Sequence, residues 1–339
     1  MNLHKKILVV GIGALGGVFS YKLIKEGYSC QLVSQNESIA DMINRNGIIL
    51  HDGSDKDFVM AKVGTELPQD EQFDFIFLMM KTTSIRVAAE EIKKNNLLKE
   101  NGQIVTIQNG DIYYKISDLF PNQIVTCIIV WGASMVSPGE YRITSPGKTV
   151  IGDRNDIIDL NEIQMLLSKV SPNPVELSSN ILGVIWSKLC LNCAINAISG
   201  ISGLKVGEYS KLAKARELFL ATYRESFEVS EYLHIKLEKL VIKPTLFYIP
   251  KKSHFISKTV KTFFVKRVGK KFGLVKTSML QDLERGRKTE IDYLNGYVSE
   301  KGKEIGYPTP VNDKLTEIIK LIEKGELQPK IENFDLIDL

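Results

Sequence analysis

The stretch K-K-I-L-V-V-G-I-G-A-L-G-G, residues 5–17, decides the fold of the first half of this chain. A short apolar run reads as a buried strand, and it passes directly into glycines at the G-x-G-x-x-G spacing. The helix-like segment V-F-S-Y-K-L-I-K-E-G-Y follows. Strand, glycine loop and helix in this order are the fingerprint of a dinucleotide site. Gly11 permits the tight turn, Gly13 lets the backbone approach a pyrophosphate, and Gly16 allows close packing of helix on strand. Together with Ile12, Ala14 and Leu15 they form a loop whose following helix presents free N–H groups to phosphate.

Working outward, further buried strands are expected at residues 29–33, 73–80 and 103–107, separated by polar or helix-like segments. The alternation predicts a doubly wound, Rossmann-type parallel sheet. Such sheets bind ligands beyond the carboxyl ends of their strands, so the residues just after each strand are candidates. Lys81 follows the F-D-F-I-F-L-M-M strand, and Gln108-Asn109-Gly110 follows I-V-T-I. At the end of the second strand an acid would hold a ribose 2′-hydroxyl and an arginine a 2′-phosphate. Here stand Ser34, Gln35, Asn36 and Glu37. Ser34 and Gln35 are cofactor-binding candidates, and neither coenzyme form is selected by these residues.

The chain has 339 residues, 44% of them hydrophobic, which is room for two domains of ordinary size. The longest apolar stretches, such as residues 124–136, are broken by Thr, Ser and Gly, and no small-residue cleavage site follows the basic N-terminus. A cytoplasmic protein without integral membrane contact is expected. Four cysteines, Cys30, Cys127, Cys190 and Cys193, are too scattered for a disulfide framework. Cys190 and Cys193 form a C-x-x-C inside an apolar segment with no second ligand pair nearby, and four dispersed histidines add no metal site. They read as buried thiols. No nucleic-acid recognition motif accompanies the net charge of +4.

After residue 153 the strand signals fade, and S-P-N-P-V-E-L-S-S-N at 171–180 reads as a connection. The expected division is a nucleotide-binding domain at 1–175 and an all-helical substrate domain at 176–339, with helices near 181–199, 208–233, 279–305 and 311–324. In the first of these, Lys188, Asn192 and Asn196 recur every fourth residue of an otherwise apolar run. Each step of four advances about 40° around a helix, so the three polar heads share one face. A polar seam satisfied by neighbouring backbone, or one facing water, is the plain alternative to a site. Residues 236–276 carry twelve Lys or Arg against one acid, leaving the remainder of the chain at net −7. Interleaved Phe247, Tyr248, Phe255, Phe263, Phe264 and Phe272 suggest an amphipathic helical excursion. Its readings are a solvated face with inward or dimer-packed aromatics, a guide for an anionic substrate, or a contact for an acidic partner or membrane surface.

Six blocks in order, G-I-G-A-L-G-G, M-K-T at 80–82, Q-N-G at 108–110, W-S-K-L-C-L-N-C-A-I-N at 186–196, T-S-M-L-Q-D at 277–282 and R-K-T-E-I-D-Y-L-N-G at 287–296, resemble ketopantoate reductase (2-dehydropantoate 2-reductase) over nearly the whole chain. The resemblance implies an oxidoreductase acting on a CH–OH group. It would reduce a small 2-oxo acid with NADPH, NADH remaining open, toward pantothenate and coenzyme A. It implies Lys188 as general acid and Glu290 as the acid that partners it. Asn109, Asn192, Asn196 and Ser278 become substrate contacts, and Lys81 and Asn109 become neighbours of the cofactor. Asp282 is a supporting candidate. A homodimer is compatible with it. The chain departs from the family in lacking an arginine near Ser34-Gln35-Asn36 and in carrying Val206 where some members have an asparagine. A same-fold reductase of a different 2-oxo acid, and a nucleotide sensor without turnover, remain as alternatives.

Overall fold

The computed structural model describes residues 4–52, 55–240, 242–251, 255–271, 273 and 275–338. The chain divides into two compact units, Met1–Ile181 and Leu182–Leu339. The first is built on an eight-stranded sheet. Its strands are β1 (Ile7–Val10), β2 (Cys30–Val33), β5 (Val63–Gly64), β6 (Phe73–Leu78), β7 (Leu98–Thr106), β8 (Ile124–Ile129), β11 (Thr149–Asp153) and β12 (Val175–Leu177). In space they run β12-β11-β8-β7-β6-β1-β2-β5. The six from β8 to β5 are mutually parallel, and β11 pairs antiparallel with β8.

Parallel strands covered on both faces need continuous apolar runs. I-L-V-V of β1 and I-V-T-C-I-I of β8 are buried at every position. The helices α1 (Ala14–Lys25), α2 (Glu37–Asn46), α3 (Ile85–Lys94), α4 (Tyr113–Ile116) and α5 (Asn161–Val170) belong to this unit. In α2 the buried set Ile39, Ala40 and Ile43 gives the one-sided spacing of a surface helix. Because β1 pairs with β2 on one side and β6 on the other, the chain reverses its winding at β1. That is the switch point where such sheets bind ligands.

Sequence reading did not anticipate a second sheet. β3 (Ile48–Asp52), β4 (Asp55–Val59), β9 (Gly132–Ser137) and β10 (Glu140–Ser145) form a four-stranded sheet in the order β4-β3-β10-β9. It lies on α1, where the fully buried ring of Tyr141 occupies the space a side chain at Gly17 would need. The segment at 171–180, read as a connection, contains β12, which pairs parallel with β11.

Among the described residues of unit 2 the regular elements are helices and no strand: α6 (Ile181–Ser202), α7 (Val206–Tyr209), α8 (Ala213–Tyr232), α9 (Phe255–Lys271), α10 (Ser278–Glu284), α11 (Asn295–Glu304) and α12 (Pro310–Glu323). Two expected helices are broken. The one at 208–233 begins at Ala213, after a turn closed by the Arg216 guanidinium on the carbonyls of Ser210 and Lys211. The one at 279–305 splits into α10 and α11 around Gly286, whose φ of 61° ends α10. Apolar periodicity runs through both breaks, so only backbone pairing reveals them.

Candidate functional site

The glycine loop is built by close approach. Gly11 has φ of 100°, and a Cβ there would stand 2.6 Å from the Met80 nitrogen, so only glycine serves. A Cβ on Gly16 would stand 2.0 Å from the Gly11 carbonyl oxygen, where α1 crosses the strand end. Gly13 differs: its Cβ would meet nothing within 4 Å. The space beside Gly13 is therefore open, as a pyrophosphate approaching the backbone requires. Gly13 is also the N-cap of α1 and makes no side-chain cap bond. The first-turn N–H groups are left to a ligand or water, and the helix dipole favours an anion there. Ile12 is buried, while Ala14 and Leu15 are partly accessible. This loop fits a dinucleotide phosphate.

Around the switch point, Lys81 is exposed after β6 and caps a 3₁₀ turn at Thr82–Ser84. Gln108 is buried and donates to the Leu78 and Met80 carbonyls at 2.7 and 2.9 Å. It ties the end of β7 to that of β6 and so fixes where Lys81 and half-buried Asn109 begin. Asp111 is buried and takes a 2.5 Å hydrogen bond from Arg154, a pair that sequence reading missed. At the end of β2, Ser34 is buried, Gln35 is exposed, and the Asn36 side chain caps α2 by accepting from the Ile39 N–H at 3.1 Å. A polar depression lined by Lys6, Gln72 and Lys99 lies at the opposite, amino-terminal end of the strands and has no part in this loop.

In unit 2, α6 is so apolar that its 22 residues could cross a membrane by length and composition, a stretch longer than sequence reading identified. Most of it is buried in the fold. From Gly183 to Ser202 only Lys188, Leu191, Asn192 and Ile195 keep partial access, and Asn196 is 8% exposed. The spacing i, i+3, i+4, i+7 makes these four a single stripe. Lys188 and Asn192 are its polar members. Behind it, Asn295 donates to the Cys193 carbonyl at 3.2 Å and to Asn312 at 3.0 Å. Asn312 is held in turn by Glu225, which also accepts the Val311 and Asn312 N–H groups at the start of α12. Burial raises the Glu225 carboxyl above its ordinary range.

The other predicted residues fall on neighbouring elements. Gly200 lies one further step of four along α6 from Asn196, and Met279 comes within 3.3 Å of where its Cβ would be. This brings the N-terminus of α10 to the end of the polar row. Ser278, the first residue of α10, is exposed, and Thr277 caps the helix through Leu280. Asp282 is buried in α10. Glu290 is half-buried just before the 3₁₀ turn Ile291–Tyr293, which leads to α11 and its contact with α6. Val206 is buried as the first residue of α7.

Cys127, Cys190 and Cys193 are buried thiols outside any disulfide and Cys30 is partly buried; burial pushes the Cys190 thiol well up. Among the described residues no group of His, Cys, Asp and Glu is arranged to hold a metal ion. In the basic segment, Phe247 is buried edge-on against Phe219 at 5.0 Å, and Tyr248 stacks on Phe227 at 4.2 Å. Phe263 and Phe264 on α9 are exposed. The Phe255 side chain and Phe272 lie outside the described residues.

A doubly wound sheet with an uncapped glycine-loop helix, followed by a helical unit with one accessible amine and amide stripe, defines a dinucleotide-dependent oxidoreductase architecture. The chain belongs to the ketopantoate reductase family: residues 7–156 match the family described as Ketopantoate reductase PanE/ApbA, and residues 180–323 match its C-terminal part. A 2-dehydropantoate 2-reductase of Aquifex aeolicus (strain VF5) is 25% identical, covering 95% of this chain and 98% of that one. One from Pyrococcus abyssi is 26% identical over 93% and 97%. Among solved structures, D-mandelate dehydrogenase with NADH and anilino(oxo)acetate superposes with a TM-score of 0.80 at 23% identity, covering 94% of this chain and 98% of that one. A PanE/ApbA family ketopantoate reductase from Ralstonia eutropha JMP134 gives 0.79 at 24% identity, over 95% and 99%. These two likenesses speak to the fold.

Proposed function

We propose that the protein reduces 2-dehydropantoate to pantoate, with Lys188 as general acid. The accessible stripe of α6 carries this reading: one amine and one carboxamide keep partial access to solvent on a helix that is mostly buried, and Asn196 continues the row. The glycine loop of Gly11, Gly13 and Gly16 would hold a reduced nicotinamide dinucleotide, which when bound would supply the hydride. The C2 carbonyl then gains hydride at carbon and a proton at oxygen. Negative charge grows on that oxygen as its C=O electron pair moves onto it, and the Lys188 ammonium both stabilises the charge and delivers the proton from Nζ. Glu290 is assigned to hold the ammonium. Asn192 and Asn196 donate and accept without competing for the proton, which suits them to orienting a hydroxy-oxo acid. Asn109 and Ser278 are assigned to the substrate, Ser278 toward its carboxylate, and Lys81 to the cofactor.

The names of the curated relatives support the substrate, while NADPH, the donor implied by the family resemblance, has no matching cation in residues 34–37. A biosynthetic reductase of this kind works in the cytoplasm. A second reading, reduction of a different 2-oxo acid, is favoured by Val206, which is apolar and buried where some members of the family carry an asparagine.

The test follows nicotinamide absorbance with 2-dehydropantoate and a panel of other 2-oxo acids, with Lys188→Ala as control. Turnover of 2-dehydropantoate that is lost in the variant supports the first reading. Turnover confined to another acid moves the assignment to the second. Dinucleotide binding with no turnover on any acid overturns both and leaves a sensor.

A further inference from the structure

We propose that this chain takes NADH in preference to NADPH, because the segments that leave the carboxyl ends of β2 and β5 offer two carboxylates and no cation of their own to the adenosine ribose. The inference rests on the dinucleotide reading of the glycine loop. β2 is the strand whose end meets that ribose in this fold. Its end is Ser34-Gln35-Asn36-Glu37, and two of the polar groups there already have partners. The Ser34 hydroxyl accepts the Asn36 N–H at 3.3 Å, and the Asn36 carboxamide caps α2. Gln35 and Glu37 remain exposed.

The sheet adds what the sequence order hides. β5 lies beside β2, with Gly64 opposite Val33 and the Ser34 N–H bonded to the Gly64 carbonyl at 2.9 Å. Thr65 and Glu66 therefore leave the sheet next to Ser34 and Gln35, and Glu66 is exposed. Neither loop, 34–37 or 65–71, contains Lys or Arg.

The cations nearest in sequence stand elsewhere. Lys25 closes α1 and pairs with Asp57, and Arg45 lies in the last turn of α2, roughly 12 Å along the axis from Glu37. Lys62 precedes β5 and so lies at the strand's amino end. Lys81 is two strands away, roughly 10 Å, on the far side of β1. Arg86 is bound to Glu90 and Asp118. A 2′-hydroxyl can donate to a carboxylate at this place; a 2′-phosphate meets like charge.

Calorimetric titration of the full chain with NADH and with NADPH, without substrate, tests this apart from turnover. The expected result is a Kd for NADH at least about tenfold lower than for NADPH, a difference of 1.4 kcal/mol. The gap should narrow as salt screens the repulsion. Gln35→Arg with Glu37→Gln should tighten NADPH about tenfold or more. Equal binding, or tighter NADPH, in the unchanged protein overturns the inference while leaving the dinucleotide reading intact. Failure of both nucleotides to bind overturns that reading, and the inference with it.

Discussion

The phenol of Tyr141 on β10 donates to the carbonyl of Ile12 in the glycine loop at 2.9 Å, across 129 residues of sequence. Its ring fills the place of a Gly17 side chain, so the small sheet and the loop hold each other. Burial pushes the hydroxyl above the ordinary phenol range, which keeps it a donor at any working pH. Tyr141, fully buried, thus supports the loop from within the fold.

Tyr141→Phe should leave the ring in place and the Ile12 carbonyl without this partner. The loss is about 1–2 kcal/mol, the cost of an unmade buried hydrogen bond. Thermal unfolding should shift down by roughly 2–8 °C, and dinucleotide Kd should rise about fivefold or more. An unchanged affinity would show that the strand end alone sets the loop.

Two glycines three residues apart should respond in opposite ways. Gly16→Ala forces a Cβ against the Gly11 carbonyl, and we expect a stability loss of about 1–3 kcal/mol in urea unfolding. Gly13→Ala meets no protein atom, so stability should stay within about 0.5 kcal/mol. Dinucleotide affinity should nevertheless drop about tenfold. Intact binding in Gly13→Ala would place the pyrophosphate elsewhere.

Lys188→Ala should lower kcat by about 10² to 10⁴. Dinucleotide Kd should change little, because its phosphates are assigned to the glycine loop and Lys188 to the substrate oxygen. Single-turnover absorbance traces separate the two effects. Loss of dinucleotide binding in the variant would argue against the role of general acid.

Acid stability should report on Asp57. Lys25, then the Tyr21 hydroxyl at 2.6 Å, hold its carboxyl down to about 2, from an ordinary 3.8. A depressed carboxyl contributes stability that is complete above its unfolded value and is lost as pH falls toward the folded value. The window is therefore about pH 4 to 2. Asp57→Asn should lower the unfolding midpoint at pH 6 and flatten its decline between pH 4 and 2. A slope equal to that of the unchanged protein would mean the pair is open to solvent on average.

By itself the sequence determined the class of the first unit and the polar row of the second. Both are local: the glycine spacing acts within one turn, and Lys188, Asn192 and Asn196 share a face through helical pitch alone. The small sheet, the Tyr141–Ile12 bond and Glu66 beside Ser34 were decided by tertiary structure. Each joins segments whose separation in sequence carries no period, so only strand pairing brings them together. The same holds for the breaks at Ser210–Leu212 and Gly286. There the apolar pattern continues while the backbone changes direction, because packing against other elements, rather than helical period, sets where each helix ends.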